Sequence, residues 1–265
     1  MTIVEYELES AMAGLAAGAP ASLRVGVMVE IGLSDRYAVM DSPIGRLFVA
    51  WNGLGVSAVE TAADGAAFEA SHEQRTGRRS TRMDQLPDPL AAAIGRRLAG
   101  NRRVRIDVDL RGYTTFERDV WRKALEIPRG EVRPYGWIAA EIGRPRAVRA
   151  VGTALGHNPV PLVVPCHRVV RSDGMIGQYS LGGPHNKRTI LAAEGLDPDI
   201  LETQARAGIR YLGSDTTRIV CLPTCHNVRR ISAAHRVAFR SMGHAISAGY
   251  RACRECRPVA ATVAA

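Results

Sequence analysis

The sequence predicts an α+β protein built in three units: a small antiparallel sheet, a helical half, and a small cysteine-bearing α/β module. Three observations predict it. Short alternating segments broken by turn residues run from Tyr37 to Val59. From Thr114 onward the apolar positions recur at helical spacing. Four of the five cysteines fall in two close pairs, Cys221/Cys225 and Cys253/Cys256.

The first unit is expected over 36–110. Tyr37–Met40 and Arg46–Trp51 alternate as strands across a turn at Asp41–Gly45, and Asn52, Gly53 and Gly55 turn the chain into Val56–Val59. Residues 71–86 are polar and basic and read as an exposed loop. A helix follows at Pro89–Leu98. Residues 1–35, Ala- and Gly-rich with a helical stretch at Val25–Gly32, form an extension without an assigned role.

The second unit, 111–196, opens with Thr114 and Glu117 spaced as a capping box. The helix after it places Phe116, Val120, Trp121 and Leu125 on one face, and Ile127-Pro128 stops it. Gly136–Ile142 and Ala147–Leu155 read as two short helices across a Gly143-Arg144-Pro145 turn. A helix-turn-helix and a pair of packed core helices share this pattern. Residues 197–209 read as a linker, and 210–260 as the third unit.

An apolar content of 46% and a charged content of 23% are those of a folded chain rather than a disordered one. No window approaches the roughly 18 apolar residues of a membrane span. Glu5, Glu7 and Glu9 stand where a signal peptide would be basic. A cytoplasmic monomer without a membrane partner is therefore expected, with its cysteines catalytic or metal-binding rather than disulfide-bonded. The net charge of +9 is uneven. Residues 203–265 hold 10 Arg against only Asp215 and Glu255, which directs attention to a polyanion such as nucleic acid.

The chemistry concentrates at Val164-Pro165-Cys166-His167-Arg168. A thiol beside an imidazole is the minimum equipment for a nucleophilic sulfur, because the thiolate is the attacking form. A buried structural Cys next to a surface His has the same local sequence. In the third unit, a C-x3-C and a C-x2-C pair lie across 27 residues. Four soft ligands in two pairs suit tetrahedral Zn(II), with Cys221, Cys225, Cys253 and Cys256 as ligands. Two reduced pairs or a redox dithiol are the alternatives.

Taken together, residues 113–195 resemble the catalytic domain of O6-alkylguanine-DNA alkyltransferases. The resemblance is carried by Phe116, Val120-Trp121, Ile127-Pro128, Gly130, Tyr135, Ile142–Pro145, Ala147–Val151, Asn158-Pro159, Pro161, Pro165–Val169, Gly177, Tyr179 and Glu194-Gly195. It implies an RNase H-like N-terminal half, a winged helix-turn-helix-like catalytic half and double-stranded DNA as partner. Cys166 would take the alkyl group irreversibly, with His167 as base, Glu194 orienting it and Asn158 ordering the loop. Tyr135 would crowd the target nucleotide, Arg149 would fill the vacated stack, and a backbone amide at Ser180 would meet O6. The methyl donor is then DNA, and no S-adenosylmethionine is expected. The segment Leu181–Lys187 is one residue longer than usual in the family.

Residues around the other cysteines resemble the zinc-binding methylphosphotriester domain of Ada-type proteins. Thr216–Cys225 and Gly249–Pro258 carry this likeness. It implies bound Zn(II), Cys221 as a second methyl acceptor, and Thr217 and Arg251 near phosphates. Arg218 stands where that family often has Gly, and His226-Asn227 replaces a more basic stretch. A purely structural zinc module and an alkylation-sensing regulator are the alternative readings. A non-catalytic lesion binder lacks the active Cys that Cys166 supplies, and a Cys-His hydrolase usually draws its two residues from distant positions.

Overall fold

The computed structural model of the chain describes residues 21–101 and 103–259. Residues 1–20 of the N-terminal extension, like residue 260 of the expected third unit, lie outside the described residues. The extension's helical stretch is helix α1 (Ala21–Glu30).

The first unit is a four-stranded sheet of order β3-β2-β1-β4. Strands β1 (Asp35–Ser42), β2 (Gly45–Asn52) and β3 (Gly55–Glu60) pair antiparallel as the alternation predicts. The fourth strand and its preceding helix correct the expectation of an exposed loop over 71–86. Helix α2 (Gly65–Thr76) is capped by Asp64, which accepts from Ala67 N at 2.8 Å, and ends at Gly77. It buries Phe68 and His72. Strand β4 (Ser80–Arg82) then adds parallel to β1. One of the two buried helix residues is polar, so the hydrophobic pattern that signals a helix was too weak to read.

His72 is buried because it answers Asp35. That carboxylate accepts from Ser57 Oγ (2.6 Å), Arg78 Nε (2.6 Å) and Asn52 Nδ2 (2.9 Å), and lies 3.0 Å from His72 Nε2. Burial opposes the Asp35 charge, but these hydrogen bonds outweigh it and hold the pKa below the ordinary carboxylate value. One fully buried acid thus ties together β1, β2, β3 and α2.

The first unit ends with helix α3 (Asp88–Leu98), whose Ile94 joins the core, and the second opens with helix α4 (Thr115–Ala124). The capping box is present: Glu117 N donates to Thr114 Oγ1, and Thr114 N to the Glu117 carboxylate. Helices α5 (Tyr135–Glu141) and α6 (Val148–Gly156) flank a turn at Gly143, whose φ of +72° favours glycine. Trp121 lies beneath both, its indole N–H donating to Ala154 O at 2.7 Å. Two short strands, β5 (Arg133–Pro134) and β6 (Val169–Val170), pair parallel, and helix α7 (Gly183–Ala193) closes the unit.

The segment read as a linker folds as helix α8 (Pro198–Arg206), capped by Asp197 and burying Leu201 and Ala205. Arg188 on α7 pairs with Glu202 at 2.8 Å, so the segment is pinned rather than free. Beyond it, β7 (Tyr211–Ser214), β8 (Ile219–Cys221), β9 (Arg236–Phe239) and β10 (Arg251–Ala252) form a sheet of order β10-β8-β7-β9, with helix α9 (Met242–Ser247) beside it. A single apolar cluster runs from Leu47 in the first unit through Trp121 to Tyr211 and Val220 in the third.

Replacing Asp35 by Ala removes the buried acceptor of His72 and of the Arg78 Nε–H. Breaking a buried pair of this kind costs about 3–5 kcal/mol. Urea denaturation of Asp35→Ala is expected to show that loss, and a loss below about 1 kcal/mol would remove the cluster's assigned role.

Candidate active site

The loop after α6 is folded by one side chain. Asn158 Oδ1 accepts from Val160 N at 3.1 Å, while its Nδ2 donates to Val164 O at 3.0 Å and Cys166 Sγ at 3.1 Å. Buried Leu162 sits at φ +73°, a left-handed conformation that costs a β-carbon-bearing residue about 1–2 kcal/mol. Packing and the Asn158 bonds hold it there. The loop delivers Cys166 to the start of a single 3-10 turn, Cys166–Arg168.

Cys166, His167 and Arg168 are all buried, and the last two share one acid. Glu194, at the end of α7, lies 3.1 Å from His167 Nε2 and accepts from Arg168 Nε and Nη2 at 2.9 and 2.6 Å. Burial works against the Glu194 charge, but the bonds from His167 and Arg168 hold its pKa down at about 2. An ionised carboxylate only accepts, so the proton of a neutral His167 sits on Nε2 and Nδ1 keeps its lone pair. That Nδ1 is buried and has no hydrogen-bond partner among the described residues. Burial lowers the His167 pKa, opposed by Glu194. Burial also pushes the Cys166 thiol up, opposed by Asn158 and by the charge of Lys187. At rest the pair is therefore neutral thiol and neutral imidazole, with a base lone pair in reserve.

Two further residues complete the surroundings. Lys187 is fully buried, donating to Val169 O at 2.6 Å and Gln178 O at 3.2 Å. Burial brings its pKa down to about 8, which leaves it cationic at neutral pH and favourable to a thiolate. Tyr179 packs edge-on to His167 with its hydroxyl buried and unpartnered among the described residues. The sequence reading assigned no role to Arg168, Lys187 or Tyr179. A lone Lys on an amphipathic helix reads as a solvated residue, and only its burial distinguishes it.

The remaining expected residues lie around this centre. Tyr135, half-buried at the start of α5, has its pKa raised by burial and by the nearby Cys166 charge, which places it within electrostatic reach of the sulfur. Arg149 is exposed on α6, the second helix of the pair. Ser180 is exposed and lines a cavity of about 530 Å³ together with Asn158, Pro159 and Tyr113.

The second cysteine cluster is also assembled. The Sγ atoms of Cys221, Cys225, Cys253 and Cys256 all lie within 4.8 Å of one another, and all four residues are buried. A tetrahedral Zn(II) with bonds of about 2.3 Å needs sulfurs about 3.8 Å apart, so the four fit the ion. Leu222 N donates to Cys256 Sγ (3.3 Å) and Asn227 Nδ2 to Cys253 Sγ (3.5 Å), the outer contacts that thiolate ligands use. Cys221 opens on a groove of about 610 Å³ lined by Thr217, Arg230, Arg251 and Arg254. Arg218, at a position where the Ada-type domain often has Gly, adopts φ +52°; its guanidinium covers the Tyr250 ring at 5.2 Å.

Glu194 sets a pH signature. Its folded pKa of about 2 lies below the unfolded value of about 4.3, so its contribution is complete above pH ~4.3 and disappears as pH falls through about 2. Glu194→Ala, which leaves Arg168 unpaired, is expected to lose about 3–5 kcal/mol at pH 7. The gap to wild type, read by denaturation, should narrow below pH ~4.3; a gap independent of pH would contradict the assignment.

Comparison with known proteins accords with this geometry. The family model for the "6-O-methylguanine DNA methyltransferase, DNA binding domain" matches residues 115–196. The model for the "Metal binding domain of Ada" matches residues 201–259. The methylated-DNA–protein-cysteine methyltransferase of Mycolicibacterium paratuberculosis is 42% identical over 162 residues, covering 60% of this chain and 91% of the relative. The Mycobacterium tuberculosis protein of the same name is 39% identical over 161 residues, with the same coverage. The crystal structure of Mycobacterium tuberculosis OGT in complex with DNA is 36% identical, with a TM-score of 0.50, covering 63% of this chain and 98% of that one. The chain belongs to the methylated-DNA–protein-cysteine methyltransferase family, and carries an Ada-type metal-binding domain at its C-terminal side.

Proposed function

We propose that the protein repairs duplex DNA by taking the alkyl group of O6-alkylguanine onto Cys166, once per molecule. The observation that carries the reading is the junction of Cys166, held by Asn158, with a neutral His167 whose Nε2 faces Glu194. The thiol proton passes to His167 Nδ1, by way of a water, as the S–C bond forms and the C–O6 bond breaks. The electron pair stays on the guanine, which takes up a proton at N1 from solvent, while His167 releases the thiol proton to solvent. Sulfur keeps the alkyl group as a thioether, and nothing in the site returns it to a thiol. The donor is the lesion itself, so the reaction calls for no S-adenosylmethionine.

A base inside a stacked duplex is out of reach of a buried sulfur, so the nucleotide has to be extruded, at a cost of a few kcal/mol. Exposed Arg149 on α6 fills the gap with a flat, charged guanidinium. Tyr135 crowds the target nucleotide, and the backbone at Ser180 meets O6. The repair unit is 111–196 beneath the sheet of 36–110, and 210–260 forms the metal module.

Zinc bound by the four cysteines would tie together the chain ends of the neighbouring strands β8 and β10 and lower the pKa of its thiols. A second acceptor role for Cys221 is favoured by one observation: this ligand lines a groove with Thr217 and Arg251, groups suited to DNA phosphate.

Incubation with duplex containing O6-methylguanine is expected to add one methyl mass to the Cys166 peptide, and none in Cys166→Ser. DNA-bound wild type with an unmodified Cys166 peptide would end this reading. Arg149→Ala should slow transfer from duplex yet leave transfer from a free O6-alkylguanine base unchanged; equal slowing of both would remove its role in extrusion. Duplex carrying methylphosphotriesters alone is expected to methylate Cys221, and an untouched Cys221 in zinc-loaded protein would leave the module structural.

A further inference from the structure

The third unit grips one short segment of the second, and that segment meets the acid of the alkyl-transfer site. Every residue from Gly130 to Val132 is held by it. Arg229 Nη2 donates to Gly130 O at 2.8 Å. The Glu131 carboxylate accepts the His226 backbone N–H at 3.1 Å. Thr224 Oγ1 accepts from Val132 N at 2.9 Å and donates to Val132 O at 3.3 Å. Thr224 and His226 are the immediate neighbours of the ligand Cys225. Nearby, the Trp137 indole donates to the carbonyl of another ligand, Cys256, at 2.9 Å.

The gripped segment touches the reacting residues on its other side. Gly130 N lies 3.4 Å from Glu194 Oε2, the acid that orients His167. Gly130 has φ +72°, and a β-carbon there would come within 3.1 Å of Glu194 O and 3.2 Å of Arg229 Nη2. One glycine therefore separates a module arginine from the catalytic acid. Three residues further on, β5 pairs Arg133 with Val169 and Pro134 with Val170, directly after the Cys166–Arg168 turn, and then enters Tyr135. Glu131 is itself buried and paired with Arg133 at 2.6 Å, which stiffens the segment between them.

We propose that the metal module is a working part of the alkyl-transfer site: Arg229 and Thr224 are positioning residues that, through the Gly130–Val132 backbone, set Glu194 and Tyr135. The inference rests on the reading of Cys166 as acceptor. It assigns the module a role independent of any chemistry at Cys221, because none of these contacts involves the Cys221 sulfur. A triad positioned by contacts outside itself is sensitive to them, since misplacement by about 1 Å can cost about 100-fold in rate.

The test uses the full-length, zinc-loaded chain with wild type, Arg229→Ala, Arg229→Lys and Thr224→Val. Three quantities are read: the single-turnover rate at saturating O6-methylguanine duplex, the Kd for that duplex, and hydrogen exchange in peptides spanning 128–134 and 190–196. Arg229→Ala and Thr224→Val are expected to slow transfer at least about ten-fold with Kd changed less than about two-fold, and to exchange faster in both peptides. Arg229→Lys, which can still reach the Gly130 carbonyl, should recover most of the rate. Wild-type rate in both Arg229→Ala and Thr224→Val would overturn the proposal. So would a loss that follows only the unfolded fraction and is not recovered by Lys. Should Arg229→Ala fail to fold, Thr224→Val and Arg229→Lys carry the same comparison. Failure of wild type to methylate Cys166 would instead strike the function reading, not this one.

Discussion

The second unit is organised around one buried carboxylate. Glu194 receives His167 on one side and the guanidinium of Arg168 on the other, with the Gly130 amide nearby. A buried acid without partners would take up a proton; with these it stays ionised and fixes which imidazole nitrogen keeps a lone pair. That tautomer is what makes His167 a base toward the thiol rather than a donor. Arg168 is held in turn by Ile127 O at 2.7 Å, at the end of α4, so the acid is anchored to the helical core as well as to the loop.

The same site is built to keep its sulfur quiet. Burial holds Cys166 protonated and His167 neutral, while Lys187 and Asn158 stand ready to favour a thiolate. A reagent used once gains from this arrangement, because a permanently ionised thiol would be open to oxidation and to stray electrophiles. Reactivity is then tied to the arrival of a carbon electrophile within reach of the sulfur.

Much of this was legible in the chain. Alternation located β1 to β3, the Thr114/Glu117 spacing located the α4 cap, and the Cys166-His167 pair and the paired cysteines located both centres. What escaped was set by contacts distant in sequence. Helix α2 hid because its buried face includes His72, whose partner Asp35 lies 37 positions earlier. Arg168 and Lys187 looked like ordinary surface cations, and only their burial beside Glu194 and Cys166 shows otherwise. Helix α8 passed for a linker because only Leu201 and Ala205 of its residues are buried.

By itself, the sequence determined the kinds of chemistry present: a nucleophilic sulfur beside a base, four thiols spaced for one metal ion, and a basic third unit. These are local properties, carried by residue type and short spacing. Tertiary structure alone decided that Arg168 shares the acid of His167, which cation is buried near Cys166, and that the metal module closes on Gly130–Val132. Those are matters of placement across 21 to 99 positions of chain, where pairing is selected by burial and geometry rather than by neighbouring residues.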